Sequence, residues 1–355
     1  MALSYRKGLE QIGIERSTTV SYREFYVRPR SLRQTIAAMQ PPESFELIYE
    51  INPDQDWTVE INGVGLLDGQ WLFTSNDAKM LYAFDAGTAL TDENIKWQLD
   101  FDKSDDSKQH IGQFEVFEDL IYVSRMSNTQ AGNNVMVFKK RTFELAATVN
   151  EHGVPLWASW RGLASDAPTK VVALDLVDNI QLSTAVSPRD GRVAQVQFQC
   201  NVPWESVFLT CYGDSEVSEL FAYSRSNGNQ IAGRAVRLQT PIFEDWVQGA
   251  AFSPEGYLLI STSKSNKDDP RSADQGDFQY IYVVCPLNGY LFQTIPVSVE
   301  SGFWHGQEVE GCCWAPATTP DGRAVEFHVI MNTKEGGIYM KSYARTKMYG
   351  QVRQA

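Results

Sequence analysis

The chain has 355 residues, 43% hydrophobic and 21% charged, which is enough to bury a sizeable core, and its formal net charge is −13. That acidity repels phosphate backbones and anionic headgroups, arguing against nucleic-acid and membrane-surface partners. Five cysteines without framework spacing argue against a disulfide-built domain. With no apolar leader core and no run of about 18 apolar residues, a soluble, cytoplasmic protein is expected.

Residues 1–44 read as an N-terminal arm. Arg6, Lys7, Arg16, Arg23, Arg28, Arg30 and Arg33 outnumber Glu10, Glu15 and Glu24 there, so the arm is either docked or solvated, or offers a face to a protein partner. Ser31–Met39 has helix-compatible spacing, stopped by Pro41-Pro42. Phe45–Ile51 then opens a strand pattern that runs to about residue 345, leaving 346–355 as a C-terminal tail.

Within 45–345, a short apolar strand carrying Gly or Gln recurs six times, at intervals of roughly fifty residues, as repeat architectures require. The segments are Glu60-Ile-Asn-Gly-Val-Gly65, His110-Ile-Gly-Gln-Phe114, Leu156-Trp-Ala-Ser-Trp160, Val193-Ala-Gln-Val-Gln-Phe198, Val247-Gln-Gly-Ala-Ala-Phe252 and Glu308-Val-Glu-Gly-Cys-Cys-Trp314. Each leads into further strands, which makes the unit a propeller blade.

The first unit reads Val59–Leu67, Gln70–Ser75, Met80–Phe84 and Ile95–Phe101, with Asp68-Gly69 as a tight turn. The second reads Ile111–Val116, Leu120–Ser124, Val135–Lys139 and Phe143–Val149. The third has blurred boundaries around Ala164–Lys170 and Ser187–Arg192. The fourth reads Val193–Gln199, Glu205–Cys211, Glu219–Ser224 and Ala235–Gln239. The fifth reads Val247–Phe252, Tyr257–Thr262, Tyr280–Cys285 and Leu291–Val297, with a polar insert, Ser263–Asp277, as a surface loop. The sixth supplies Val309–Trp314, Val325–Met331 and Gly337–Tyr343 and then runs out. Phe45–Ile51 can fill that vacancy, so the expectation is an all-β, six-bladed β-propeller of four-stranded blades, closed by its N-terminal strand.

The phrase Val247-Gln-Gly-Ala-Ala-Phe-Ser-Pro-Glu-Gly-Tyr-Leu-Leu-Ile-Ser261 resembles the repeat of six-bladed propellers. That group includes NHL-repeat proteins, SMP-30-like lactonases and strictosidine-synthase-like enzymes. His305-Gly-Gln-Glu-Val-Glu-Gly311 is similar to their inner-strand phrase in which a Glu faces the channel. The resemblance covers about residues 45–345 as a rhythm, and a shared fold does not fix function. The lactonase likeness implies a calcium or other divalent cation held by Glu310 and Asn62. The equivalent Ser159, Gln195 and Gln248 depart from that pattern, since Gln is a weak ligand for a hard cation.

Propeller inner strands converge on the axis, so polar residues at their starts collect there. Glu308 and Glu310, on one side of their strand, repel each other and should raise one pKa. They are candidate acid/base residues, with His110 and His305 as proton carriers. Asn62, Gln113, Ser159, Gln195 and Gln248 are candidate substrate contacts, and Trp246 and Trp304 candidate pocket walls, although such groups also serve to bind ordered water or pack blades. Motifs of the Gly-x-Ser-x-Gly nucleophile elbow, the Walker phosphate loop, His-Glu-x-x-His and Cys-x-x-Cys are absent. Two readings stay open. One is a small-molecule enzyme, hydrolysing an ester or lactone or performing a metal-independent cyclisation or condensation. The other is a non-catalytic propeller, lectin-like or a scaffold, binding a ligand or a protein.

Overall fold

The computed structural model describes residues 45–51, 57–58, 60–101, 110–117, 120–126, 133–144, 170–184, 199–204, 207–212, 219–239, 246–253, 256–263, 279–297, 308–319, 321–332 and 338–345. Five four-stranded antiparallel sheets are built from them, and no α-helix occurs among them. The first blade is β2 (Gly63–Leu67), β3 (Gln70–Ser75), β4 (Met80–Asp85) and β5 (Ile95–Asp100). The second is β6 (His110–Phe117), β7 (Leu120–Met126), β8 (Asn134–Glu144) and β9 (Lys170–Gln181). The third is β10 (Gln199–Trp204), β11 (Val207–Tyr212), β12 (Glu219–Ser224) and β13 (Gln230–Arg237). The fourth is β14 (Trp246–Phe252), β15 (Leu258–Ser263), β16 (Gln279–Val284) and β17 (Leu291–Pro296). The fifth is β18 (Glu308–Thr318), β19 (Ala324–Asn332) and β20 (Ile338–Arg345), with β1 (Phe45–Ile51) antiparallel to β20 as its outer strand.

Among the described residues the blade count is therefore five rather than six. The expected third unit does not form a sheet of its own among the described residues. β8 runs on to Glu144 and pairs along its whole length with β9, so Lys170–Gln181 is the outer strand of the second blade. The segment Leu156–Trp160 lies outside the described residues. The third blade also starts later than expected, because its inner strand is Gln199–Trp204, held to β11 by Cys200↔Cys211 and Trp204↔Val207 register. An apolar run has no mark that separates an inner strand from an outer one, and this is why the repeat count was overestimated.

Each core cluster joins two consecutive sheets. Val64, Phe73 and Tyr82 of the first blade pack with Cys313, Ile330 and Met340 of the fifth. Leu72 and Leu81 meet Phe114 and Ile121, and Tyr122 and Val137 meet Phe208 and Tyr223. Leu220 meets Leu258 and Ile260, and Leu259 and Ile281 meet Val309 and Phe327. The inner strands accordingly adjoin in the cyclic order β2, β6, β10, β14, β18 and back to β2. Because each blade is covered on both faces, middle strands such as Leu258–Ser263 are buried at every position instead of alternating. Each fully buried Phe or Leu contributes roughly 1.5–3 kcal/mol.

Two local features hold the blades. Asp68 (φ 51°) and Gly69 (φ 76°) both take the left-handed conformation that a two-residue hairpin turn of matching twist demands. In the fifth blade, Phe45 packs edge-on against Phe327 at 5.0 Å and Trp314 at 6.0 Å, and Lys341, 2% exposed, pairs with Glu50. His328 is fully buried, although its alternating strand suggests a half-exposed residue. Its Nδ1 meets Ser342 Oγ and its Nε2 meets the Ala315 carbonyl, each at 2.8 Å, with Trp71 against the ring.

Candidate functional site at the strand-start end of the axis

The inner strands of the first, second and fifth blades begin at the same end of the axis. There, Asn62, Glu310, His110 and Glu60 meet. Glu60 and Asn62 directly precede β2, His110 opens β6 and Glu310 is the third residue of β18. Asn62 Nδ2 donates to Glu60 Oε1 at 2.9 Å and lies 3.5 Å from Glu310 Oε2. Its Oδ1 accepts the Asn76 N–H at 2.8 Å, which fixes the orientation of the amide. His110 Nε2 stands 3.9 Å from Glu60 Oε1. Asn332, at the end of β19, grips both backbone groups of Ile61 and also hydrogen-bonds Glu310.

Burial dominates the electrostatics. Glu310 is 4% exposed, and burial, with the neighbouring Glu308 and Glu60 adding to it, pushes its pKa well above the ordinary carboxyl value. The Asn332 and Asn62 amides oppose that shift without cancelling it. Glu310 therefore holds its proton where an exposed glutamate has lost it. Burial also lowers His110 to about 4, with Lys79 adding to the effect and the Ile111 backbone working against it. At neutral pH His110 is an uncharged imidazole, able to accept a proton.

Gln113 has a different place. Its Nε2 donates to the carbonyls of Ala250 (2.5 Å) and Cys312 (2.7 Å), and its Oε1 accepts the Ala250 N–H at 2.6 Å. The side chain thus crosses the axis from the second blade to the fourth and fifth. Gly249 makes room for it, and Gly311 for the first blade's backbone beside it. A Cβ on Gly249 would lie 2.1 Å from Gln113 Oε1, and one on Gly311 would lie 2.7 Å from both the Asn62 carbonyl oxygen and the Gly63 Cα. Glu310 thus faces one end of the axis only, with Gln113 spanning it at the next level.

Gln248 is buried at the start of β14 and donates to Ser263 Oγ at 3.2 Å within its own blade. Glu308 opens β18, half-buried, and acts on Glu310 through its charge. His305, Trp304, Ser159, Gln195 and the side chain of Trp246 lie outside the described residues. Glu60, Asn76, Lys79 and Asn332 were missed in the sequence. Glu60 stands two residues before Asn62, on the same side of an extended chain, and that spacing could have found it. Asn76 and Asn332 sit at the far ends of second strands, which an alignment of inner strands does not inspect.

The donor set does not fit a hard cation. Asn62 turns its nitrogen, not its oxygen, toward the carboxyls, and Glu310 retains its proton. Among the described residues, no three His, Cys, Asp or Glu side chains gather as metal ligands. No helix among them is long and apolar enough to cross a membrane.

The pairing of four-stranded blades in cyclic order around one axis defines a β-propeller. No family model matches the sequence, and no curated protein is significantly similar to it. Solved structures of similar shape include Myxococcus xanthus glutaminyl cyclase, with a TM-score of 0.47 and 9% identity over 86% of this chain and 100% of that one. The tail fibre of a Staphylococcus aureus phage has a TM-score of 0.43 and 11% identity over 90% of this chain and 57% of that one. The PQQ-bound aldose sugar dehydrogenase of Streptomyces coelicolor has a TM-score of 0.41 and 12% identity, over 86% and 99% respectively. At such identities and scores the likeness says nothing of activity, and the fold assignment rests on the strand pairing of this chain.

Proposed function

We propose that the protein is a small-molecule enzyme that transfers protons at the strand-start end of its axis, with Glu310 as the general acid. The observation that carries this reading is the enclosed Glu310 carboxyl, linked through Asn62 to Glu60, which in turn lies beside a neutral His110. Two proton-carrying groups with pKa values pushed in opposite directions are the pattern of an acid/base pair. In ester or lactone hydrolysis, water adds to the acyl carbon and gives its proton to His110. The acyl carbon–oxygen bond then breaks as Glu310 protonates the leaving oxygen. A cyclisation or condensation would use the same pair with an internal nucleophile in place of water.

The test is a panel of short-chain esters and lactones assayed with the wild type and with Glu310→Gln. A folded variant losing turnover by about 10²–10⁴-fold supports the reading, the size expected of general acid catalysis. Equal turnover in the folded variant overturns it. A wild type that binds panel members without converting them points to the rival, a non-catalytic ligand-binding propeller.

A further inference from the structure

One device recurs where consecutive blades meet at the strand-start end. Asn332 Oδ1 accepts the Ile61 N–H at 3.1 Å, Asn76 Oδ1 accepts the Ile111 N–H at 3.0 Å and Gln279 Oε1 accepts the Val309 N–H at 2.9 Å. Each amide comes from the preceding blade, since Asn332 ends β19, Asn76 follows β3 and Gln279 opens β16. Each clasped residue is apolar, at most 2% exposed, and packs between blades. Its neighbours in the chain are Glu60 and Asn62, His110 and Gly112, or Glu308 and Glu310. Every acid or base of the candidate site thus adjoins a clasp.

The clasps act where the ladders are weak. The β6–β7 register shifts between Ile111 and Phe114, the β18–β19 register shifts between Val309 and Cys312, and the β2–β3 pairing starts only at Gly63. A bulge interrupts the bonds to the neighbouring strand, and each inner strand is the edge of its sheet. An N–H at such a place needs an acceptor from elsewhere.

Asn76 does more than the other two, because its backbone acts as well as its side chain. Its N–H donates to Asn62 Oδ1 at 2.8 Å, and Asn62 reaches Glu60 at 2.9 Å and Glu310 at 3.5 Å. Glu60 Oε1 lies 3.9 Å from His110 Nε2, and His110 directly precedes the clasped Ile111. The contacts close a ring from Asn76 through Asn62, Glu60, His110 and Ile111 back to Asn76, across two blades.

We propose that Asn76 is a positioning residue, which sets the His110 imidazole against Glu60 and the Asn62–Glu310 pair by clasping the chain next to it. This rests on the reading of His110 and Glu310 as proton-transferring groups, and it adds the side chain that fixes one relative to the other.

The experiment is NMR of the full chain, following exchange of the Ile111 amide and titration of the His110 ring, together with turnover on the ester and lactone panel. In Asn76→Ala the Ile111 amide should exchange about tenfold faster or more. His110 should titrate above its value of about 4, toward the ordinary 6.5, as the strand start loosens and burial is lost. Turnover should fall about tenfold or more, because displaced groups lose their reactive alignment. Asn76→Asp keeps the accepting oxygen and should restore protection at Ile111. Glu60 and Lys79 are the charged groups that face His110, and Lys79 Nζ is itself held by Asn76 Oδ1 at 2.5 Å. Lys79→Met keeps the clasp and removes the charge, so it should move the His110 titration less than Asn76→Ala does, burial being the larger cause. If Asn76→Ala does not fold, Asn76→Gln, which displaces the amide by one carbon, carries the same readouts. An Asn76 with only a structural role predicts a lower melting temperature with the His110 titration and turnover unchanged, and that result overturns the inference. So does a Lys79→Met shift as large as that of Asn76→Ala. In either case, a Glu310→Gln variant that loses turnover leaves the proton-transfer reading standing. Unchanged turnover in Glu310→Gln removes that reading, while a displaced His110 titration in Asn76→Ala still supports Asn76 as the group that positions the imidazole.

Discussion

Asn62 stands between two carboxyls, with its Nδ2 2.9 Å from Glu60 Oε1 and 3.5 Å from Glu310 Oε2, while its Oδ1 receives the Asn76 N–H. One neutral amide therefore supplies a donor to both acids and an acceptor to the turn that carries Lys79. Asn62→Leu strands the Asn76 N–H and withdraws a donor from Glu310, at a cost of about 1–3 kcal/mol. Asn62→Asp places another acid beside Glu310 and should raise its pKa further. Urea unfolding at pH 5.5 and pH 8 checks both, with the Asp variant losing more stability at the higher pH and the Leu variant losing similar amounts at each.

Gln113 makes three hydrogen bonds to the backbones of two other blades and is buried among them. Gln113→Glu keeps the shape but removes the Nε2 donors, turning an oxygen toward the carbonyls of Ala250 and Cys312. It should cost more than Gln113→Ala, roughly 3 kcal/mol or beyond, because two acceptors then face a third. Denaturant titration of the two variants side by side decides the order. An Ala variant that proved the worse of the two would show that packing, not the amide's donors, joins the blades.

Gly311 permits the fifth blade to approach the first, since an added Cβ would meet the Asn62 carbonyl oxygen and the Gly63 Cα, both backbone and unable to step aside. Gly311→Ala should therefore disrupt the blade contact itself, lowering the melting temperature severely or preventing folding. Gly69 is a useful contrast, because a Cβ there meets nothing within 4 Å and is opposed only by φ 76°. Gly69→Ala should cost about 1 kcal/mol and leave the fold intact. Circular dichroism melts of both variants test the difference.

The fold was legible where local chemistry was decisive. Asp68-Gly69 marks its hairpin, and the phrases that carry Asn62, His110, Gln248 and Glu310 read as strands, which the structure forms as β2, β6, β14 and β18 or their immediate starts. The blade count was not legible, because Leu156–Trp160 reads as an inner strand of its own, while nothing local marks Lys170–Gln181 as the outer partner of β8. Pairing partners separated by long stretches of chain leave no local signature. The same limit hid Asn332, whose contact with Ile61 spans 271 positions, and the bridge made by Gln113, whose partners lie 137 and 199 residues away. His328 misled for a related reason, since one strand's alternation does not reveal the blade that covers its polar face.

Glu115 lies beyond the Gln113 bridge on β6, and its Oε2 is enclosed without a hydrogen-bond partner among the described residues. Burial pushes its pKa up to about 8, against a downward pull from the Val116 backbone. A carboxyl with a folded pKa of about 8 and an ordinary value of 4.5 keeps in the fold a proton that the unfolded chain releases, so stability falls as pH rises through that window. His110 and His328 act oppositely. Burial lowers both from 6.5 to about 4, so the unfolded chain binds more protons between those values and stability falls as pH drops. The two effects oppose each other between 4.5 and 6.5, and above 6.5 the Glu115 effect still acts while those of His110 and His328 are spent. The melting temperature should therefore decline from pH 6.5 to 8. Glu115→Gln should remove part of that decline, melting a few degrees above the wild type at pH 8 and gaining nothing below pH 4.5. Parallel profiles for the variant and the wild type across the whole range would mean that Glu115 ionises in the fold as it does in water.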